Sequence, residues 1–227
     1  MEESHESHDE DPRVRVKICG ITCVEDGLQA AQAGADYLGY MFYGPSRRFV
    51  RPGTAARVID VVRQVCPAVQ HVGVFVNELQ DAILGIAKDC HLDFVQLSGD
   101  ESPEMCAWLK DSGAWVIKTL KFGPGAAPVA WQDYRVDYYL CDTFDPKLQG
   151  GTGRAFDHSL LPESLPLARC FMAGGLNAAN VVDVVRARPF AVDVSSSVES
   201  GPGRKSPGLV CEFIAAVRRA ATDPTVQ

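Results

Sequence analysis

The sequence predicts a single-domain (β/α)8, or TIM, barrel of the α/β class, and three observations support this prediction. Eight short β-rich runs alternate with segments that have the apolar spacing of helices. The runs are continuously apolar, as in parallel strands that are buried on both faces. Eight such units fit the length of this 227-residue chain. An open, doubly wound sheet is the alternative that the same pattern allows.

The predicted elements follow one another with short connections and with no evident linker or internal repeat. The predicted strands cover residues 14–18, 37–42, 71–76, 94–97, 115–119, 138–141, 170–173 and 191–194. The predicted helices cover residues 24–33, 54–65, 79–89, 103–111, 178–186 and about 208–221. The connections after the fifth and sixth strands specify helix weakly; the former is rich in Gly, Pro and Ala. We therefore predict one domain over residues 13–221, between a disordered acidic tail (1–12) and a C-terminal tail (222–227).

Charge and composition argue against several classes of function. The net charge is −7, but six of the 29 acidic residues lie in the first eleven positions, so the body is close to neutral. It offers no basic footprint for nucleic acid or an anionic membrane. No apolar run is long enough for a membrane span, and the acidic N-terminus is unlike a signal peptide. We expect a cytoplasmic protein whose eight scattered cysteines are reduced and mostly buried.

The loops after the seventh and eighth strands predict a phosphate site. In a (β/α)8 barrel the chemistry lies at the C-terminal ends of the strands, and these two loops commonly bind phosphate. Gly174 and Gly175 follow the seventh strand, and Ser195 and Ser196 follow the eighth. Either pair alone is equally typical of a tight turn or a cap, but together they favour an anion. Without a nucleotide-binding glycine pattern, a small phosphorylated molecule is expected.

Other strand ends carry candidate catalytic and binding side chains. Cys19 ends the first strand, where it is either a base or nucleophile or a buried structural thiol. Asp142 ends the sixth strand, as a general acid or a turn residue. Arg48 lies in the loop after the second strand, as a carboxylate clamp or a solvated cation. Lys118 is more typical of an ion pair than of a Schiff base. No strand end clusters metal ligands, so no metal is expected.

With these residues in place, the sequence resembles the phosphoribosylanthranilate isomerase family. The resemblance runs in order from residue 14 to about 215. It rests on the segments KICGIT (17–22), GYMF (39–42), SRRF (46–49), VGVFVN (72–77), VQL (95–97), LCDT (140–143), GGTG (150–153) with Phe156 and Asp157, AGGLN (173–177) and VDVSS (192–196).

The resemblance implies a cofactor-free Amadori rearrangement of an anthranilate N-linked to ribose 5-phosphate. Asp142 corresponds to the general acid that opens the sugar ring, and Cys19 to the general base that removes the proton from the adjacent carbon. Arg48 corresponds to the residue that holds the anthranilate carboxylate, and Asp193 to a polar residue near the substrate amine. The backbone at Gly174, Gly175, Ser195 and Ser196 corresponds to the phosphate site.

Three departures from the family pattern affect what this resemblance implies. Ser98 stands where the family commonly has His, Ser197 where it commonly has Gly, and Ser206 where it commonly has Asp. A serine at 197 changes the phosphate loop if that position requires positive φ. Two alternatives therefore remain, an isomerase of another N-linked phosphosugar and a non-catalytic phosphosugar-binding barrel. The sequence allows a monomer or a homodimer.

Overall fold

Eight parallel strands close into a barrel in chain order in the computed structural model, which describes residues 13–123, 130–143 and 161–222. The barrel strands are β1 Arg15–Cys19, β2 Tyr37–Met41, β3 Gln70–Phe75, β4 Phe94–Leu97, β5 Trp115–Phe122, β6 Tyr138–Thr143, β7 Cys170–Ala173 and β8 Ala191–Val194. The helices are α1 Val24–Gln32, α2 Pro52–Val65, α3 Gln80–Asp89, α4 Pro103–Asp111, α5 Val181–Arg186 and α6 Pro207–Thr222. The pairing of β1 with β8 closes the sheet and excludes the open alternative.

The connections after β5 and β6, which specify helix weakly in the sequence, contain no α-helix among the described residues. Among the described residues, the connection from β5 to β6 contains the 3-10 turn Trp131–Asp133. The connection from β6 to β7 contains another 3-10 turn, Leu167–Arg169. The Gly150–Gly153 segment, Phe156 and Asp157 lie outside the described residues, as do positions 1–12 and 223–227. Helix α6 continues to Thr222, so it includes the first position of the predicted C-terminal tail.

A two-stranded antiparallel ribbon follows the barrel and was not predicted. Its strands are β9 Glu199–Gly201 and β10 Arg204–Lys205, and they lie between β8 and α6. Strands this short carry no apolar periodicity, which is why the sequence pattern does not reveal them. The ribbon nevertheless brings two charged side chains, Glu199 and Lys205, to the mouth of the barrel.

Aromatic side chains fill the N-terminal end of the barrel. Tyr37 packs edge-on against Phe171 with ring centroids 5.2 Å apart, and Phe94 lies 5.8 Å from Tyr37. Phe190 lies 5.2 Å from Phe171 and 4.3 Å from Tyr138. This apolar floor closes one end of the barrel, so the polar side chains of the interior lie toward the C-terminal mouth.

Three aspartates repeat one interaction around the bottom of the barrel. Asp36, Asp93 and Asp137 stand directly before β2, β4 and β6, and each accepts a hydrogen bond from a backbone N–H of the preceding strand. Each also pairs with a cation, and these partners are Arg218, Arg63 and Lys110 respectively. Asp followed by Tyr or Phe thus marks the start of every second strand from β2 to β6.

Candidate active site at the mouth of the barrel

A buried lysine, a thiol and a carboxylate lie together on β1 and β8. Lys17 and Cys19 are two residues apart on β1, so their side chains point to the same face of the strand. The Lys17 Nζ donates to Asp193 Oδ1 at 2.9 Å and also interacts with the Cys19 sulfur. A Cβ on Gly39 of β2 would lie 2.8 Å from Cys19 Sγ and 3.2 Å from Lys17 Nζ. The glycine therefore provides the space in which these two groups meet.

The electrostatics of the group are dominated by burial and by this ion pair. Burial raises the pKa of the Cys19 thiol, and the Lys17 ammonium opposes that rise. Burial by itself lowers the pKa of Lys17, but the Asp193 carboxylate and Cys19 outweigh it and hold the pKa above its ordinary value. Lys17 is therefore a cation at neutral pH although its side chain has no exposed surface.

Asp142 presents a second carboxyl group on β6. It pairs in register with Lys121 of β5 and Ala173 of β7. Burial raises the pKa of Asp142, and the negative charge of Asp193 raises it further, while Lys121 opposes both. A carboxyl group with a raised pKa remains protonated at a higher pH than an ordinary aspartate, which suits a general acid.

Arg48 is held by a carboxylate of the ribbon. Its Nε and Nη2 donate to the two Glu199 oxygens at 2.7 and 2.8 Å, and Nη1 has no partner among the described residues. Lys205 Nζ donates to the same Glu199 carboxylate at 2.9 Å. Gly20, with φ of 84°, lets the Arg48 stem cross the backbone, because a Cβ there would lie 2.6 Å from Arg48 Cδ. Glu199 thus lies between two cations.

The two predicted phosphate loops follow β7 and β8 at the mouth of the barrel. Gly174 and Gly175 both have positive φ, 101° and 63°, and the space beside the Gly175 Cα is open. The Ser195 hydroxyl donates to the Cys19 carbonyl at 3.0 Å, while Ser196 is exposed. These four residues bring backbone from β7 and β8 to one rim, where an anion has access to it.

Ser197 fits its position without strain, which answers the question raised by its replacement of glycine. It lies in the 3-10 turn Ser196–Val198 and is not among the described non-glycine residues with positive φ. Its hydroxyl donates a short hydrogen bond to the carbonyl of Leu176 in the β7 loop. In that loop the Asn177 side chain accepts from the amides of Ala179 and Asn180, in the turn that precedes α5. The serine therefore joins the two loops.

The rim formed by β4 and β5 carries Ser98, a second departure from the family pattern, and the second buried lysine, Lys118. The Ser98 hydroxyl is hydrogen-bonded to Thr119 at 2.9 Å and accepts from Gln96 at 3.0 Å. Lys118 donates to Glu101 at 2.6 Å, and both side chains are almost completely buried. Lys118 is therefore an ion-pair partner, in agreement with the interpretation favoured from the sequence.

Most of the cysteines are buried, as their apolar surroundings in the sequence predict. Five cysteines are buried, two are half-buried and Cys211 is exposed, and all eight are free thiols. Among the described residues no helix has the length and apolar character to cross a membrane, and no cluster of three or more His, Cys, Asp or Glu side chains has the geometry of a metal site.

The fold and the site define a (β/α)8 barrel with a thiol, a half-buried carboxyl group and a rim of glycine and serine residues at its C-terminal mouth. The family model of N-(5'-phosphoribosyl)anthranilate isomerase matches residues 16–216. The enzyme of that name from Trichlorobacter lovleyi is 42% identical over 209 residues, which is 91% of this chain and 99% of the relative. The chain belongs to the N-(5'-phosphoribosyl)anthranilate isomerase family.

Solved structures agree with this assignment. The phosphoribosyl anthranilate isomerase of Thermus thermophilus is similar with a TM-score of 0.78 and 34% identity, over 91% of this chain and 99% of that one. Another isomerase of the family was solved in complex with reduced 1-(o-carboxyphenylamino)-1-deoxyribulose 5-phosphate, and it is similar with a TM-score of 0.69 and 34% identity, over 91% of this chain and 99% of that one.

Three residues of the site were not assigned roles from the sequence. Lys17, Glu199 and Lys205 each pair with a group that is distant in the chain or lies on the unpredicted ribbon. For Lys17 a signal was present, since strand alternation places it on the same face as Cys19. For Glu199 and Lys205 the sequence held no such signal, because their contacts form only when the unpredicted ribbon is in place.

Proposed function

We propose that this protein converts N-(5-phosphoribosyl)anthranilate to 1-(2-carboxyphenylamino)-1-deoxyribulose 5-phosphate, an aldose–ketose isomerisation of tryptophan biosynthesis. The observation that carries the proposal is the coexistence of Cys19 and Asp142 at the mouth of a barrel of this family. A barrel that only binds a phosphosugar requires neither group. The proposal includes no cofactor or metal, because the substrate nitrogen donates an electron pair when the ring opens and takes a pair back when the adjacent carbon loses its proton.

Asp142 acts as the general acid in this proposal. Its proton goes to the furanose ring oxygen as the bond from that oxygen to the anomeric carbon breaks. The lone pair of the substrate nitrogen forms the C=N bond of an open-chain Schiff base. The raised pKa of Asp142, caused by burial and by Asp193, keeps that proton on the carboxyl group to a higher pH than in an ordinary aspartate.

Cys19 acts as the general base on the adjacent sugar carbon. Its thiolate accepts the proton, and the electron pair of the broken C–H bond forms a C=C bond while the C=N electrons return to nitrogen. The enolamine then tautomerises to the ketone. Acid and base require opposite protonation states in one pocket, and they lie on β6 and β1 in different surroundings.

Binding relies on two anion sites at the mouth. Arg48 binds the anthranilate carboxylate with the guanidinium hydrogens that Glu199 does not use. The backbone at Gly174, Gly175, Ser195 and Ser196 binds the phosphate. Asp193 lies near the substrate amine in this proposal, although in the structure its Oδ1 is taken by Lys17.

The test is turnover of freshly prepared phosphoribosylanthranilate, followed by the loss of its fluorescence. We expect rapid turnover by the wild type and a loss of at least about a hundredfold in kcat for both Cys19→Ala and Asp142→Asn. The exposed Cys211→Ala is the matched control and retains full activity. A folded wild type without turnover overturns the proposal and directs attention to other N-linked phosphosugars.

We propose a cytoplasmic enzyme that acts as a monomer or a homodimer on a small phosphorylated molecule, without nucleic acid or membrane partners. The near-neutral body and the absence of a membrane-spanning helix among the described residues support this. Light scattering of the purified full chain distinguishes monomer from dimer.

A further inference from the structure

A fully buried lysine inside the barrel has no part in the mechanism above. Lys17 is the second residue before Cys19, and its side chain has no exposed surface. Removing an ammonium group from water is costly, and a buried ion pair seldom repays that cost compared with apolar residues of the same volume. Burying Lys17 beside the proposed base therefore calls for a reason other than stability.

The Lys17 ammonium lies between the Asp193 carboxylate and the Cys19 thiol. Asp193 is its register partner on β8 and holds Nζ at 2.9 Å. On the other side, a Cβ added at Gly39 would contact both Lys17 Nζ and the Cys19 sulfur, so these two groups share one small space. A larger residue at 39 would separate them. Lys17 thus bridges Asp193 and Cys19.

In the protein without substrate, the cations around Cys19 outnumber the carboxylates that pair with them. Three cations, Lys17, Arg48 and Lys205, interact with Cys19. Two carboxylates are paired with them, Asp193 with Lys17 and Glu199 with both Arg48 and Lys205. The group therefore carries one excess positive charge. A thiolate at Cys19 neutralises it, whereas a neutral thiol leaves it uncompensated inside the barrel.

We propose that Lys17, held in place by Asp193, is a positioning residue that supplies the countercharge for the Cys19 thiolate. The proposal rests on the proposed function only in calling this thiolate the base. In turnover the thiolate becomes a thiol by accepting the substrate proton, and Lys17 remains protonated throughout. Lys17 therefore favours the form of Cys19 that is able to remove a proton.

Asp193 connects the base to the acid. The same carboxylate that holds Lys17 is the negative charge that adds to the burial of Asp142 in keeping that carboxyl group protonated. A single Lys17–Asp193 pair thereby favours a negative base on β1 and a neutral acid on β6. These are the two protonation states that the proposed reaction requires.

The test is a pH titration of the Cys19 thiolate by its ultraviolet absorbance. Each protein is measured against the same protein carrying Cys19→Ser, which cancels the other thiols and the tyrosines. We expect Lys17→Met to raise the midpoint by about one pH unit or more, since an opposite charge at this range shifts a pKa by about 1–3 units. Its kcat at neutral pH falls by about tenfold and recovers as the pH is raised.

Two further variants keep the result decisive if Lys17→Met does not fold. The double variant Lys17→Met/Asp193→Asn leaves no unpaired carboxylate, and its midpoint remains above that of the wild type because the lost ammonium shares the space beside Gly39 with the sulfur, whereas Asp193 contacts that ammonium. The double variant Lys118→Met/Glu101→Gln removes the other buried lysine pair and leaves the Cys19 midpoint unchanged.

The outcomes separate this inference from the proposed function. An unchanged or lower midpoint in the folded Lys17 and Asp193 double variant overturns the role of Lys17, even if the wild type turns over phosphoribosylanthranilate. An equal shift in the Lys118 control also overturns it, because the effect would then reflect general loosening of the barrel. If the wild type does not turn over phosphoribosylanthranilate but the Lys17 variants still raise the Cys19 midpoint and the Lys118 control does not, the role of Lys17 is supported and only the proposed substrate is refuted.

Discussion

Arg48 lies beside another arginine, and the two differ in their surroundings. Arg47 is exposed, whereas Arg48 crosses Gly20 and is fixed by Glu199. Only a guanidinium held in one orientation presents a defined pair of donors to a carboxylate. Arg48 therefore has the better geometry to recognise the anthranilate carboxylate, and Arg47 serves as its natural control.

We predict that Arg48→Gln raises KM for phosphoribosylanthranilate by about tenfold to a hundredfold. A hydrogen bond to a charged group contributes about 1.5–3 kcal/mol, which corresponds to this range. Arg47→Gln changes the same charge in the same loop and leaves KM within about twofold of wild type. Steady-state kinetics of both variants decide the matter. Equal effects of the two would show that only net charge matters.

At the residue scale the sequence predicted where the candidate side chains lie in the barrel better than it predicted which residues they contact. Cys19, Asp142 and Arg48 were predicted because each follows a strand, and the fold places such residues at the mouth. The partner of Lys17 is Asp193, which is 176 residues away, and no local pattern links the two. Strand alternation indicates which face a side chain takes but does not identify what lies opposite it.

At the element scale the barrel strands were predicted well and the ribbon was missed, for one physical reason. Strands buried on both faces are continuously apolar, so β4, β7 and β8 agree with their predicted bounds. β9 and β10 have three and two residues and are rich in Gly and charge. The repeated aspartates before β2, β4 and β6 became apparent only when the strands were aligned in space.

We predict that Glu199→Gln raises KM for phosphoribosylanthranilate about fivefold and changes kcat little. The substitution keeps the shape of the side chain but weakens the two hydrogen bonds that orient Arg48, at a cost of about 1 kcal/mol in binding. Ser200→Ala, on the exposed side of the same ribbon, is the control and has no effect. A fall in KM would show that Glu199 chiefly neutralises Arg48.

At the scale of the whole molecule, a buried histidine outside the site makes stability depend on pH. His71 of β3 is completely buried and shares a 3.0 Å hydrogen bond with the Tyr40 hydroxyl, while its Nε2 has no partner among the described residues. Burial, assisted by the nearby Arg63, lowers the pKa of His71 to about 3. The folded protein therefore keeps this imidazole neutral across most of the acidic range.

The stability of the protein should fall as the pH falls below the ordinary histidine pKa of 6.5. Below that value the unfolded chain binds a proton at His71 and the folded chain does not, so protonation favours unfolding until the folded pKa near 3 is reached. Between pH 6.5 and about pH 4.5 this single group removes about 2 kcal/mol of unfolding free energy. Urea unfolding at a series of pH values measures the loss.

The double variant Tyr40→Phe/His71→Leu isolates this contribution, because it removes the titrating group and the hydroxyl that would lose its partner. We expect its unfolding free energy to decline less steeply than that of the wild type, by about 2 kcal/mol over the same interval. The single variant Tyr40→Phe keeps His71 and follows the wild-type slope. The carboxylates are the same in all three proteins and cancel in the comparison. Parallel curves for the wild type and the double variant would show that His71 is protonated in the folded protein, and that its burial is incomplete in solution.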